Sequence, residues 1–442
     1  MILRSETVAL GSGEAVLVIG SAVVAVTKGE VEIFGKRMHP GDTGVVKRYR
    51  AYPVEAGDAG AELEVRLGSG GLVQRRDRIG CGFWSSIAEE VLLRRTDLAI
   101  IGGTDTGKSS LTVFLLNRGR QVGLKVGVID ADLGQGDLGV PGTIGLAVPS
   151  DDTLSLEACE TLRTFFVGKT SPYGVEPRLE EGIAALHKYS KELGCQPTIT
   201  TMHGWLFDER AVNHVLGVVK QLGLRELVLL QKSSELEPLV REIGRLKEKG
   251  YGEIRMHFAP APDTFERSSG QRRRIRERRL RSYFQKSEFV LESVDCDRRE
   301  IGGAGLFEGA AWRISGALRK MVAKHAGMSR ADVSYAEKAG NQVKILAGDR
   351  AQSEPLRFVR FPFGNLRVDV YSSGREMGLL VGFQITNGDW RVGKLLALDP
   401  MRRKMHLLRP ADAEGWGRLL LGRMVLSGDD IEVRSLSKEF FS

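Results

Sequence analysis

The sequence predicts an α/β protein in which a central domain built on a parallel sheet is flanked by an N-terminal all-β domain and a C-terminal mainly β domain. Three observations predict it. Residues 6–67 alternate apolar and polar positions in short runs between glycine turns. Apolar strands then alternate with helical segments from about 97 to 258, and short alternating runs return after about 290.

In the first region the runs 15–19, 31–34 and 63–67 are separated or bounded by Gly29, Gly35, Gly41 and Gly68. Residues 84–95 (WSSIAEEVLLRR) then carry helical spacing, with Ser85 or Ser86 as the N-cap, and lead into the strand 97–101 (DLAII). Further strands are expected at 124–130, 162–167, 197–201, 225–231 and 253–258, with helices between them, the alternation that makes a parallel sheet. After a helical stretch at 315–325 come the runs 342–346, 366–371, 379–385, 392–398 and 404–408. The domains are drawn at 1–80, 81–290 and 291–442. No internal repeat or low-complexity linker separates them.

Composition narrows the class. At 442 residues with 42% hydrophobic content the chain has room for about three globular domains at ~150 residues each. The longest mild apolar run, 15–26, falls well short of the ~20 residues of a spanning helix, and the N-terminus has no signal-peptide pattern. The expectation is a cytoplasmic protein without a membrane partner. The four cysteines are too far apart for a metal or redox pair. A net charge of +8 favours a polyanionic partner.

The chemistry begins at 102–109, GGTDTGKS, which follows a strand and opens a helix at 109–117. Such a loop turns its backbone N–H groups inward around an anion, with a helix N-terminus behind them. It is the phosphate-binding loop of a nucleoside triphosphatase fold. Gly102, Gly103, Thr104, Asp105, Thr106, Gly107, Lys108, Ser109 and Ser110 are therefore the candidate nucleotide site. Lys108 reaches the β and γ phosphates and the Ser109 hydroxyl holds Mg2+. The next strand ends in Asp130-Ala-Asp132-Leu-Gly-Gln135. Residues two apart in an extended segment face one way, so Asp130 and Asp132 face the loop together, one to organise Mg2+ and the other to accept a proton, with Gln135 near a nucleophile. The third feature is 267–283, RSSGQRRRIRERRLRSY, which holds seven arginines between 272 and 281 and no lysine. Arginine offers planar multidentate bonds to phosphoryl oxygens, and such a helix acts as a lid over a transferring group, as a nucleic-acid-binding face or simply as a solvated helix.

With DADLGQGDLGVPGTIGLA (130–147), FVGKTSP (166–172), GW (204–205) and ERSSGQRRRIRERRLRSYF (266–284), the chain resembles the polynucleotide 5′-hydroxyl kinase family, whose eukaryotic members serve pre-mRNA 3′ processing, tRNA splicing and ribosomal RNA processing. The likeness runs from about 10 to 290 and continues in short pieces such as GKLLALDP. It implies a kinase that moves the γ-phosphate of ATP or GTP, with Mg2+, to the 5′-hydroxyl end of a nucleic acid, RNA favoured over DNA. It further implies Asp132 as general base, Asp130 in the metal shell and Arg267, Arg272 and Arg276 as lid residues at 266–284. Thr170 and Ser171 match a clasp over the phosphate, and Trp205 an aromatic that stacks on the terminal base. The chain departs from the family at 200–203, where Thr-Thr-Met-His replaces the usual Asp or Asn followed by Thr, and after Ser171.

Two other classes stand beside this reading. One is a nucleotide-binding scaffold of an RNA-processing complex with little turnover. The other is a phosphate-loop ATPase or GTPase of another class, although the segment after 228–230 reads Gln-Lys-Ser-Ser and not the Asn-Lys-x-Asp that reads guanine.

Overall fold

A computed structural model describes residues 4–76, 81–261, 266–303, 307, 309–311, 316, 320, 333–347, 359–361, 364–372, 374, 376–428 and 432–435. These form a mixed α/β protein that divides into two compact units. The first holds 1–140, 144–164 and 175–276, and the second holds 141–143, 165–174 and 277–442.

The first unit opens with an antiparallel sheet of β1 (Arg4–Leu10), β2 (Ala15–Ile19), β3 (Ala22–Ile33), β4 (Lys36–Met38), β5 (Thr43–Val46), β6 (Ala51–Leu67) and β7 (Leu72–Arg76). The order is β4-β3-β6-β2-β7, with β1 on β6 and β5 on β3. Alternation puts Val24, Val26, Leu63 and Val65 inside, as the sequence period requires. Where the long strands β3 and β6 pair, the register shifts on both sides of Lys28 and Gly29, and such bulges bend the ladder.

A second sheet, whose residues belong to this unit except Thr143, Phe165 and Phe166, is reached through α1 (Cys81–Leu93). Its strands are β8 (Leu98–Gly102), β9 (Gly127–Asp130), β10 (Thr143–Ala147), β11 (Arg163–Phe166), β12 (Thr198–Thr201), β13 (Glu226–Gln231) and β14 (Arg255–Pro260), in the order β11-β10-β9-β12-β8-β13-β14. Between them lie α2 (Lys108–Gln121), α3 (Glu176–Glu192), α4 (Glu209–Leu222) and α5 (Glu237–Glu248), and α6 (Ser269–Lys286) follows β14. The centre of the sheet is parallel as the sequence predicts: β12 pairs with β8 and β9, and β13 with β8 and β14. The expected parallel sheet needs correction at β10, a strand that is not among those expected and that runs antiparallel to β9. A parallel return requires a crossover element, and the connection 131–142 contains no helix. Asp130 and its successors therefore leave the sheet as a loop that doubles back beside its own strand.

Helix ends follow local chemistry. Asp208 caps α4 by accepting from Ala211 N–H at 2.9 Å, and Gly223 stops it in a left-handed conformation. Ser268 and Gln271 bond reciprocally at the start of α6, Gln271 N–H to Ser268 Oγ at 3.2 Å and Ser268 N–H to Gln271 Oε1 at 2.9 Å. The N-terminal sheet and α2 share one core, in which Phe34 and Phe114 are both buried. Asn117 joins them with polar bonds. Its Nδ2 donates to Phe34 O and Thr153 O, each at 2.8 Å, and its Oδ1 accepts from Thr153 N–H at 2.9 Å.

In the second unit, β15 (Phe289–Asp295), β16 (Glu300–Gly302), β22 (Leu379–Gln384), β23 (Trp390–Asp399), β24 (Lys404–Pro410), β25 (Arg418–Leu426) and β26 (Glu432–Ser435) form one sheet. The strands β17 (Ala310–Ala311), β18 (Val333–Ala339), β19 (Gln342–Ala347), β20 (Val359–Phe361) and β21 (Gly364–Ser372) form another. Trp390 packs on Phe165 and Phe166 with ring centres 5.7 and 6.3 Å apart. The helix expected at 315–325 lies outside the described residues except at 316 and 320. Among the described residues no helix is long and apolar enough to cross a membrane.

Candidate active site

The strand β8 carries the chain to Gly102 in the middle of its sheet, and the loop to α2 turns there. Gly107 holds φ 93° at the N-cap of α2, a conformation an L side chain resists. This exposes the free N–H groups of the helix start. Thr106 Oγ1 ties the loop by donating to Gly103 O at 2.9 Å. Lys108 folds back on the same loop, its Nζ donating to Gly102 O at 3.0 Å and Gly103 O at 2.7 Å. Burial pulls the Lys108 pKa down, while the carboxylates of Asp132, Asp105 and Asp130 oppose that shift.

Asp130 ends β9 and is buried. Its Oδ1 accepts from Asp132 N–H at 3.2 Å, and its Oδ2 from Asp137 N–H at 2.5 Å and Leu138 N–H at 3.4 Å, so one carboxyl closes the loop that follows it. Burial first, then the charges of Asp137 and Asp132, pushes Asp130 up to about 7. Asp132 stands half-buried, its Oδ1 accepting from Gly134 N–H at 3.0 Å and Gln135 N–H at 2.9 Å. Among the described residues no hydrogen bond reaches its Oδ2. The Gln135 side-chain oxygen is buried and also without a partner there.

The arginine segment closes on the loop from the other side. Asp105, at φ 57°, accepts from Arg267 N–H at 3.1 Å, Arg267 Nε at 2.8 Å and Arg272 Nη1 at 2.9 Å, and Arg267 Nη2 lies at 2.6 Å. Arg276 sits one turn further along α6, half-buried. A cavity of about 80 Å³ lies among Arg50, Asp105, Ser109, Ser110, Asp137 and Arg267. Arg50 comes from the N-terminal sheet and pairs with Asp137. Burial would lower the Arg50 pKa, yet Asp137 holds it above its ordinary value.

On the remaining side, Gly204 lies against Thr104. A Cβ there would stand 2.6 Å from Thr104 Oγ1 and 2.8 Å from Thr104 N, so the segment after β12 packs on the loop only as glycine. His203 is buried and stacks on His214 with ring centres 5.0 Å apart. Trp205 N–H donates to His203 Nδ1 at 3.2 Å, which puts the ring proton on Nε2. Burial, His214 and Lys108 hold the His203 pKa well below its ordinary value, so the ring is neutral. Trp205 is 7% exposed, and its indole N–H donates to Asp208 Oδ2 at 2.8 Å. A base can stack on that ring only after this segment opens. Phe207, two residues on, is 86% exposed.

The structure thus brings Lys108, Asp130, Asp132, Arg267 and Arg272 into one electrostatic neighbourhood. Thr170, half-buried, and Ser171, exposed, belong to the second unit.

A family model described as the mRNA cleavage and polyadenylation factor CLP1 P-loop matches residues 102–286. The chain is 29% identical over 362 residues to a polyribonucleotide 5′-hydroxyl-kinase of Pyrococcus furiosus, covering 79% of this chain and 92% of that one. It is 23% identical over 355 residues to the protein of that name from Pyrococcus abyssi, covering 79% and 93%. The chain is thus similar to polyribonucleotide 5′-hydroxyl-kinases over most of its length, with a CLP1-type P-loop region at its centre. The fold is also that of Clp1p solved in a complex with Pcf11p, at a TM-score of 0.61 and 15% identity, covering 96% of this chain and 98% of the other.

Sequence reasoning missed the contacts of Arg50 with Asp137 and of Asp105 with Arg267 and Arg272. Arg50 carries no local signal, because the turn that leads into β6 delivers it to Asp137, 87 residues away in sequence. The cap of the arginine helix was readable: Ser268-x-x-Gln271 is a capping box before a helical run.

Proposed function

We propose that the protein transfers the γ-phosphoryl group of a nucleoside triphosphate to the 5′-hydroxyl end of RNA, in a central phosphate-loop domain (81–290) flanked by an N-terminal β domain (1–80) and a C-terminal mainly β domain (291–442). The observation that carries the proposal is the set of charges near Lys108: the carboxylates of Asp132 and Asp130 act on it, and Arg267 and Arg272 bond Asp105 of the same loop. One ammonium, one open carboxylate oxygen and paired guanidinium groups are what in-line phosphoryl transfer asks of a protein, because its catalysis is positioning and electrostatics.

In this reading the loop amides and Lys108 hold the phosphates. Lys108 exchanges the carbonyls of Gly102 and Gly103 for phosphoryl oxygens. Asp132 accepts the hydroxyl proton through Oδ2, which carries no bond among the described residues. The hard oxygens present fit Mg2+, since that ion keeps several waters and rests on one or two protein oxygens plus phosphate. Ser109 lines the cavity, and the acid pair at 130 and 132 stands behind Lys108; Ser109 and Asp130 would hold the ion. When bound it neutralises charge on the transferring group. Gln135 orients the acceptor, Arg276 extends the lid, and Trp205 meets a terminal base once its segment opens. ATP and GTP are the candidate donors.

The test is transfer of labelled γ-phosphate from ATP, and separately GTP, to matched 5′-hydroxyl RNA and DNA oligonucleotides, with Lys108→Ala and Asp132→Ala as controls. Transfer to RNA ends that vanishes in both variants is the expected result. The hold of Lys108 on its own loop carbonyls favours a second reading, a nucleotide-binding scaffold. Tight nucleotide binding with no transfer to any end would select it.

A further inference from the structure

Asp105 occupies a loop position where the backbone does the phosphate binding, yet its side chain is 5% exposed and fully engaged. Both of its oxygens are taken by arginines 162 and 167 residues away. The way they are taken is informative. Asp105 accepts from Nε and Nη2 along one edge of the Arg267 guanidinium and from the Arg267 backbone N–H as well. Among the described residues the other terminal nitrogen, Nη1, is buried without a hydrogen-bond partner. Arg267 lines the cavity beside Ser109 and the start of α2. A buried guanidinium N–H without a partner is costly, and an anion in that cavity would supply the acceptor.

We propose that Asp105 is the positioning residue of the lid: by clamping one edge of Arg267, and Arg272 beside it, it aims the remaining Arg267 N–H group at a phosphoryl oxygen bound at the start of α2. The proposal rests on the phosphoryl-transfer reading for its ligand and on the clamp geometry for its mechanism. It also accounts for an acid placed where a tetra-anion binds, because the two arginines outweigh its single charge. The clamp is one-sided by chemistry. Only a planar fork presents two parallel donors to a carboxylate while keeping a third directed elsewhere, so lysine at 267 would not serve.

The test is Asp105→Asn, since asparagine tolerates the left-handed backbone at this position and removes only the charge. Three measurements read it: hydrogen exchange of the 266–272 amides, nucleotide affinity by titration, and steady-state kinetics. The expected result is faster exchange at 266–272, nucleotide Kd changed by less than about threefold, and kcat lowered roughly tenfold or more. Arg267→Lys should lower kcat similarly, and Asp105→Asn combined with Arg267→Ala should be no worse than Arg267→Ala alone. Unchanged exchange in Asp105→Asn overturns the proposal, as do losses that multiply in the double variant. If the wild-type protein transfers no phosphate, the functional reading falls, and exchange alone judges the clamp.

Discussion

The ammonium group of Lys108 stands 2.7 Å from the carbonyl oxygen of Gly103, five residues behind it in the same loop. The side chain is satisfied inside the loop, so the loop keeps its shape without it through Gly107 and the Thr106–Gly103 bond. Lys108→Ala should therefore lower phosphoryl transfer by roughly 10²-fold or more while the melting temperature stays near that of the wild type. Turnover and calorimetry on the same preparation check this, and a variant with normal turnover would remove Lys108 from the mechanism.

Gly204→Ala should act on the nucleotide site from outside it. The added methyl meets the backbone of Thr104, which cannot swing aside as a side chain would, so the loop must shift. Nucleotide affinity should fall at least tenfold with the far-ultraviolet dichroism unchanged. Wild-type affinity would mean that the two segments part freely.

The pH dependence of stability isolates Asp130. A carboxyl raised to about 7 in the fold keeps its proton while the unfolded chain, at ~3.9, has lost it. Its contribution is present below about pH 4 and is lost as pH rises through 7. His203 works the other way: its lowered pKa gives stability above the unfolded value that is lost as pH falls. Asp130→Asn removes the first effect and leaves the second. Denaturant titrations at about pH 5 and pH 8 should show the wild type losing stability relative to this variant on going up in pH. A difference that does not change with pH would mean that Asp130 is ionised throughout.

Trp205 and Phe207 separate fold from substrate binding. Trp205→Ala removes a buried ring tied to the cap of α4 and should cost about 3–5 kcal/mol. Phe207→Ala should leave stability within about 0.5 kcal/mol, because the ring is exposed. If substrate bases stack on it, KM for the oligonucleotide rises with kcat nearly unchanged. Melting curves and initial rates for both variants decide the matter, and an unchanged KM in Phe207→Ala excludes the ring from binding.

What the sequence made legible was local. The spacing from Gly102 to Ser109 marked the loop, and the apolar runs marked β8, β12 and β13, because strand period and loop chemistry are written in neighbouring residues. Strand β10 was missed together with its reversal, because a helix-free return depends on what does not lie between two strands. The contacts of Asp105 with Arg267, of Arg50 with Asp137 and of Gly204 with Thr104 join residues brought together only by the sheet order. No spacing rule reaches them.

The three hydrogen bonds of Asn117 bear on where the chain can be divided. A protein begun at residue 81, the boundary that composition recommends, would strip the Phe34 carbonyl from the Asn117 amide and bare the face of Phe114 that the first sheet covers. Arg118 would lose both of its bonds to Glu32, and Asp137 its Arg50. The opening sheet and its turn thus form one wall of the cavity beside Ser109 and Arg267. Shortened versions meant to capture the catalytic half should begin at the first strand, and those begun at α1 should aggregate.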